Sequence, residues 1–113
     1  NLGLFLMAKK PTYEELEKAS NEWSIAHGKA IILHEGLKAM YSKCFLRHKL
    51  DSKTVIEAEH KARQDEDYKK IVDAYAEAEI NLVKCRYHYN NLDKYVSLKQ
   101  SELKRDLALN NKV

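Results

Sequence analysis

Residues that break helices are scarce in this sequence, and their scarcity excludes most fold classes. The 113 residues include one proline, Pro11, and three glycines, Gly3, Gly28 and Gly36. β-Sandwiches and α/β folds need many turns, which are built from clusters of Gly, Pro, Asn and Asp. The sequence has few such clusters, whereas charged residues make up 33% of it. The composition therefore predicts an all-α protein.

Long apolar runs and a regular cysteine pattern are also missing. No stretch is long enough for a transmembrane helix. The opening Asn1–Met7 is apolar but short, and it has neither the basic segment nor the small-residue cleavage site of a signal peptide. Cys44 and Cys85 match no metal or redox spacing. Both fall on the apolar stripes described below, whose register would keep them roughly 25 Å apart within one chain, too far for a disulfide. We therefore expect two buried free thiols in a reducing compartment. These features predict a cytoplasmic protein.

The chain begins with a segment that we expect to be a tail, residues 1–11. Met7 and the residues after it resemble a natural translation start, which would make residues 1–6 an added segment. Pro11 cannot extend a helix backwards, and Thr12 with Glu15 forms a capping-box pattern. A single helical domain is therefore predicted over residues 12–110.

Two apolar stripes predict two long helices that pack together. The first stripe is Leu16, Ala19, Trp23, Ala26, Ala30, Leu33, Leu37, Met40 and Cys44. The second is Tyr68, Ile71, Tyr75, Ala78, Leu82, Cys85, Tyr89, Leu92 and Val96. Both alternate intervals of three and four residues, the heptad spacing of a coiled coil. We expect helices at about 12–46 and 66–109; Lys99 interrupts the second stripe, which Leu103 and Leu107 continue.

A short connecting helix is predicted between the long ones, at about 53–63. Asp51 or Ser52 can cap its start, and Asp65 can cap the third helix. A compact connector folds the long helices back on each other. The predicted fold is an all-α, long antiparallel helical hairpin, coiled-coil-like, in which the numbers of facing residues add up to about 112.

Such a hairpin has little interior, so further apolar residues need another partner. Ile25, Ile32 and Phe45 lie off the first stripe and widen the apolar face of that helix. Gly28 and Gly36 lie inside the same helix, where they indicate either close packing against a bulky neighbour or a local kink. We therefore expect a homo-oligomer.

Charge is arranged in blocks along the chain. The net charge is −3 over residues 12–37, +4 over 38–53, −4 over 54–79 and +4 over 80–113. The antiparallel register places the acidic stretch 12–37 beside the basic stretch 80–100. The blocks can therefore hold the hairpin together, or they can serve as surfaces for partners.

Catalytic and metal-binding motifs are not found. The sequence contains no G-x-S-x-G, no phosphate-binding glycine loop and no H-E-x-x-H. His27 and His88 face each other in the predicted register and could bind a metal with His34, Glu35 or Glu79, but solvated histidines are the simpler interpretation. We therefore predict a protein that is not an enzyme and has no cofactor.

Basic and aromatic residues alternate in the second half of the third helix. They are Lys84, Arg86, Tyr87, Lys94, Tyr95, Lys99, Lys104 and Arg105. Basic groups neutralise phosphates and exposed rings stack on unpaired bases, so this pattern favours single-stranded nucleic acid. A second basic cluster, of Lys43, Arg47 and Lys49, is another candidate for phosphate contacts. The alternative is a solvated helix face with tyrosines at an oligomer interface.

The order of helices resembles that of UvsY-like phage recombination mediators. The matching segments are Ala30 to Phe45, Asp51 to Glu59, Asp67 to Glu79 and the closing Leu92 to Arg105. Where the closing helix of that class favours an Arg-Ser pair, Val96-Ser97 stands here. The resemblance implies a non-enzymatic accessory protein in the bacterial cytoplasm that binds single-stranded DNA, forms an oligomer and assists a recombinase. The alternative is a helical protein–protein module, such as a coiled-coil adaptor, a structural protein or an inhibitor, without a nucleic-acid role.

Overall fold

The structure, a computed structural model, describes residues 12–111. The expected tail 1–11 and the translation start at Met7 lie outside these residues. Three helices account for the described chain: α1 (Tyr13–Lys49), α2 (Val55–Gln64) and α3 (Glu66–Asn111). Residues 12–111 contain no β-strand. The predicted all-α hairpin with a short connecting helix is confirmed.

Helix α1 begins where the sequence predicts but ends later. The hydroxyl of Thr12 accepts a hydrogen bond of 3.2 Å from the backbone N–H of Glu15, as expected of the cap. Helix α1 continues to Lys49, three residues beyond the predicted end at about residue 46. The hydroxyl of Ser52 donates a 2.7 Å hydrogen bond to the carbonyl of His48, which satisfies one of the free carbonyls at the end of α1.

The cap of α2 is a different residue from the one predicted. Thr54 is the N-cap, and its hydroxyl accepts from the N–H of Glu57 at 3.1 Å. The assignment to Asp51 or Ser52 was therefore wrong, because Ser52 is engaged at the end of α1. The predicted cap of α3 is confirmed: Oδ1 of Asp65 accepts from the N–H of Asp67 at 2.9 Å.

The contacts divide the chain into two compact units. One, the connector unit, is Ser24–Val83, and the other, the terminal unit, contains the described residues 12–23 and 84–111. In the connector unit, His34 contacts Tyr75 with ring centroids 5.4 Å apart, and Tyr41 contacts Tyr68 at 5.6 Å. The contact that lies later along α1 is made with a residue that lies earlier along α3, so the two helices are antiparallel there.

The terminal unit has the same antiparallel arrangement. The rings of Trp23 and Tyr89 lie 5.3 Å apart, and the numbers of these residues add up to the expected 112. The side-chain amide of Gln100 donates a hydrogen bond to the hydroxyl of Tyr13. Helix α3 continues through Asn90 and Asn91 without interruption.

Both predicted stripes form the interior, but the side chains in it are small. The nine listed positions of each stripe are buried or half-buried, and the buried ones include Ala19, Ala26, Ala30 and Ala78. Leu103 and Leu107 do not continue the second stripe into the interior, because each is 62% exposed. Cys44 is fully buried, whereas Cys85 is half-buried, so the prediction of two buried thiols is only half correct. On α2, Ala58 and Ala62 are buried.

Candidate nucleic-acid interface

The basic and aromatic residues predicted to bind nucleic acid lie on α3, within the terminal unit. The contact of Tyr89 with Trp23 and the burial of Val96 hold this part of α3 against α1. At 3.6 residues per turn, Tyr87, Lys94 and Arg105 fall on one line, on the side away from α1. The remaining positions form two flanking lines, with Arg86 and Lys104 on one and Lys84, Tyr95 and Lys99 on the other.

Tyr87 is the most accessible ring of this interface. The residue is 61% exposed. The guanidinium carbon of Arg86 lies 5.8 Å from the centroid of the Tyr87 ring, within the range of a cation–π contact. The contact places a positive charge beside an exposed aromatic ring.

Tyr95 has a similar neighbour but less open surface. The ammonium nitrogen of Lys99 lies 5.8 Å from the centroid of the Tyr95 ring. Tyr95 is half-buried, and Lys99 also forms an ion pair of 3.4 Å with Glu102 on the next turn. Of the two predicted stacking residues, Tyr87 therefore offers more surface to a ligand.

Several basic residues of the interface have no acidic partner. Among residues 12–111, no ion pair within 4 Å engages Lys84, Lys94, Lys104 or Arg105, and all four side chains are exposed. Among the described residues of the terminal unit, no ion pair within 4 Å joins α1 to α3, and the pair between Lys99 and Glu102 lies within α3. The packing of apolar side chains joins the helices instead. The basic side chains therefore face solvent and are accessible to a partner.

The second predicted cluster lies in the connector unit and is partly neutralised. A guanidinium nitrogen of Arg47 lies 3.0 Å from a carboxylate oxygen of Asp65 and 3.2 Å from one of Asp67. Lys43 and Lys49 are exposed and have no ion pair among the described residues. Arg47 therefore joins the end of α1 to the start of α3, a role that the sequence analysis missed. Asp65 and Asp67 at a predicted helix start were the signal that could have revealed it.

The carboxylate of Asp65 is the centre of this junction. Besides Arg47, it contacts Nε2 of His48 at 2.8 Å. The hydrogen bond from His48 is the main cause that lowers the pKa of Asp65, followed by the hydrogen bond from the N–H of Asp67. Burial and the nearby Asp65 raise the pKa of the Cys44 thiol, which makes Cys44 a poor nucleophile.

The histidines and carboxylates considered for a metal site do not form one. His27, His34, Glu35 and Glu79 line a shallow cleft of the connector unit together with Tyr75. Among residues 12–111, however, no group of three or more His, Cys, Asp or Glu is arranged to hold a metal ion. Burial and the carboxylate of Glu79 raise the pKa of Tyr75.

Comparisons with family models, with curated proteins and with solved structures found no match for this chain. None of the helices in residues 12–111 is long and apolar enough to cross a membrane.

Proposed function

We propose that this chain is a non-enzymatic accessory protein that binds single-stranded DNA and acts as an oligomer in phage-type recombination or replication, in the cytoplasm of a bacterial host. The surface in question is the basic–aromatic face of α3: Lys84, Arg86, Tyr87, Lys94, Tyr95, Lys99, Lys104 and Arg105. The resemblance to UvsY-like mediators supplies the biological setting. The observation that carries the proposal is the exposed ring of Tyr87 beside the guanidinium of Arg86.

The exposed ring of Tyr87 and the basic side chains along α3 suit a single strand better than a duplex. Bases in a single strand present their faces, and a tyrosine can stack on any of them whatever their sequence. The phosphates spaced along the strand can reach basic side chains that are distributed over several turns of α3. A duplex has no open base faces, so Tyr87 would add little to duplex binding.

Substitution of Tyr87 separates stacking from simple charge attraction. Tyr87→Ala is expected to weaken binding of a single strand by about 1–3 kcal/mol, the usual contribution of one stacked base. Tyr87→Phe keeps the ring and is expected to bind like the unchanged protein. Fluorescence anisotropy of a labelled oligonucleotide measures both affinities. Equal binding by the alanine and phenylalanine variants would refute stacking at Tyr87.

A helical protein–protein module is the second candidate, and a specific surface favours it. Ile25 and Ile32 lie seven residues apart on α1 and are each 72% exposed, and Leu46 continues the line fourteen residues further on. This spacing is that of a helix-pairing seam. Binding of an apolar partner there would change little with added salt, whereas DNA binding would weaken steeply.

A further inference from the structure

Within the connector unit, helix α1 carries a line of exposed apolar residues that the hairpin does not cover. The members of the line recur every seven residues, and they are Ile25, Ile32, Ala39 and Leu46. A seven-residue repeat is the spacing of a helix-pairing seam. A Cβ at Gly28, on the same side of α1, would meet nothing within 4 Å. This line and the charged residues beside it form the α1 face.

Positive charge accompanies the α1 face. Residues 24–49 contain five basic residues, which are Lys29, Lys38, Lys43, Arg47 and Lys49, and one acid, Glu35. The acid is neutralised locally, because the ammonium nitrogen of Lys38 lies 3.6 Å from the carboxylate of Glu35. Lys29, Lys43 and Lys49 have no ion pair in the part of the chain that the structure describes. The α1 face therefore suits a partner surface that is both apolar and acidic.

Helix α3 presents the opposite combination in the same unit. Its exposed apolar residues there are Val72, Ala76, Ile80 and Val83, at intervals of four, four and three. Residues 66–83 contain five acids and two basic residues. At 3.6 residues per turn, Asp73 and Glu79 lie on the two sides of this apolar line. Asp73 has no ion pair with any residue from 12 to 111. The apolar line and these acids form the α3 face.

The α1 face and the α3 face lie on opposite sides of the connector unit. Two shallow clefts separate α1 from α3, one on each side of their buried contact. Lys29 and Glu77 line one cleft, and His34 and Glu79 line the other. The helical repeat places the α1 face next to the cleft of Lys29 and the α3 face next to the cleft of Glu79. One copy of the chain can therefore use both faces at once.

We infer that the α1 face of one copy binds the α3 face of a second copy. Two α1 faces would bring basic residues together, and two α3 faces would bring acids together, so charge opposes the pairing of like faces. The pairing of unlike faces removes both apolar lines from water and sets basic residues against acids. Such a contact is head-to-tail, because each copy offers a different surface to each neighbour. It therefore continues from the second copy to a third.

This inference deepens the proposed function, because it identifies the contact by which the chain forms its oligomer, and it rests on that function in this respect alone. The proposed single-strand interface begins at Lys84 and belongs to the terminal unit. It shares no residue with either face. Self-association can therefore be measured without DNA, and strand binding can be measured on a variant that does not associate.

Two single substitutions in the full chain test the contact by complementation. Ile32→Asp places an acid in the α1 face, and Ile80→Lys places a basic residue in the α3 face. Each new charge meets a face of its own sign in the neighbouring copy, so each variant is expected to associate roughly tenfold more weakly than the unchanged chain. Sedimentation velocity over a range of protein concentrations measures the association, and the unchanged chain is expected to form species larger than a dimer.

A mixture of the two variants gives the sharpest result. The Ile32→Asp variant keeps an intact α3 face, and the Ile80→Lys variant keeps an intact α1 face. The mixture is therefore expected to form a dimer that contains one copy of each variant and adds no third copy. Ile56→Asp is the matched control, because Ile56 is exposed on α2 and belongs to neither face. This control is expected to associate like the unchanged chain.

Each other outcome would overturn the inference. An unchanged chain that stays monomeric at every concentration would mean that the faces bind something other than a second copy. Loss of association by only one of the two variants would indicate that like faces pair. The substituted residues are all exposed, and circular dichroism verifies that each variant keeps its helix content.

Strand binding is measured separately, by fluorescence anisotropy with a labelled single strand. If the unchanged chain binds the strand but stays monomeric without and with DNA, the single-strand interface stands and the head-to-tail contact fails. If the variants complement each other but the chain binds no strand, the contact stands and the proposed function fails.

Discussion

Individual side chains determine how the end of α1 meets the start of α3. Asp65 caps α3 and also receives Arg47 and His48, so one carboxylate serves three partners. The sequence indicated the cap, because an acidic residue before a helix is a recognised start signal. The acidic residues at this start indicated a basic partner, but the sequence did not identify that partner as Arg47, since the contact depends on how the connector brings together residues 18 positions apart.

The lowered pKa of Asp65 predicts how stability depends on pH. Because the folded state holds the carboxylate in its charged form, this contribution is fully present above the ordinary carboxyl pKa of about 3.9. It is lost as the pH falls through the lower pKa of the folded state. Chemical denaturation from neutral into acid solution should therefore show a smaller acid-induced loss of unfolding free energy for Asp65→Asn than for the unchanged chain.

The matched control for this prediction is Asp51→Asn. The side chain of Asp51 is exposed and makes no hydrogen bond or ion pair among residues 12–111. Its replacement should leave the pH dependence as it is. If Asp65→Asn and the unchanged chain lost the same unfolding free energy in acid, the role assigned to Asp65 would be incorrect.

At the scale of elements, the heptad spacing was sufficient to predict the helices and their facing sides. The nine listed positions of each stripe are buried or half-buried, because a three-four alternation keeps one side of a helix turned toward its neighbour. Helix ends were less predictable, since several polar residues competed for the same backbone groups. Thr54 caps α2 because Ser52 is already bonded to the end of α1.

The two glycines inside α1 give different predictions. A Cβ at Gly28 would meet nothing within 4 Å, so Gly28→Ala gains helix propensity alone and should raise the unfolding free energy by up to about 1 kcal/mol. A Cβ at Gly36 would lie 3.0 Å from Cδ1 of Ile71, so that side chain would have to shift. Gly36→Ala should therefore stabilise less than Gly28→Ala. Thermal and chemical denaturation compare the two, and the reverse order would contradict the close packing of α1 against Ile71.

At the scale of the whole molecule, the chain has more surface suited to partners than it has interior. Alanines make up most of the buried residues in the part of the chain that the structure describes, while large aliphatic residues such as Ile25, Ile80 and Leu98 are exposed. The sequence predicted this shortage of interior, because two long stripes and one short helix cannot cover every apolar face. It could not predict which bases would stay unpaired, since ion pairing depends on side-chain geometry across the helices.

The salt dependence of binding to single-stranded DNA tests the proposed function most directly. The α3 interface has six basic residues, and each can neutralise one phosphate. We therefore expect the logarithm of the binding constant to fall with the logarithm of the salt concentration with a slope of about −4. Lys94→Ala with Arg105→Ala should reduce that slope by about 1.4. Fluorescence anisotropy measures both, with a duplex of the same length as the control. Tight, salt-sensitive binding that favours the single strand is the predicted result, and the lack of binding at low salt would contradict it.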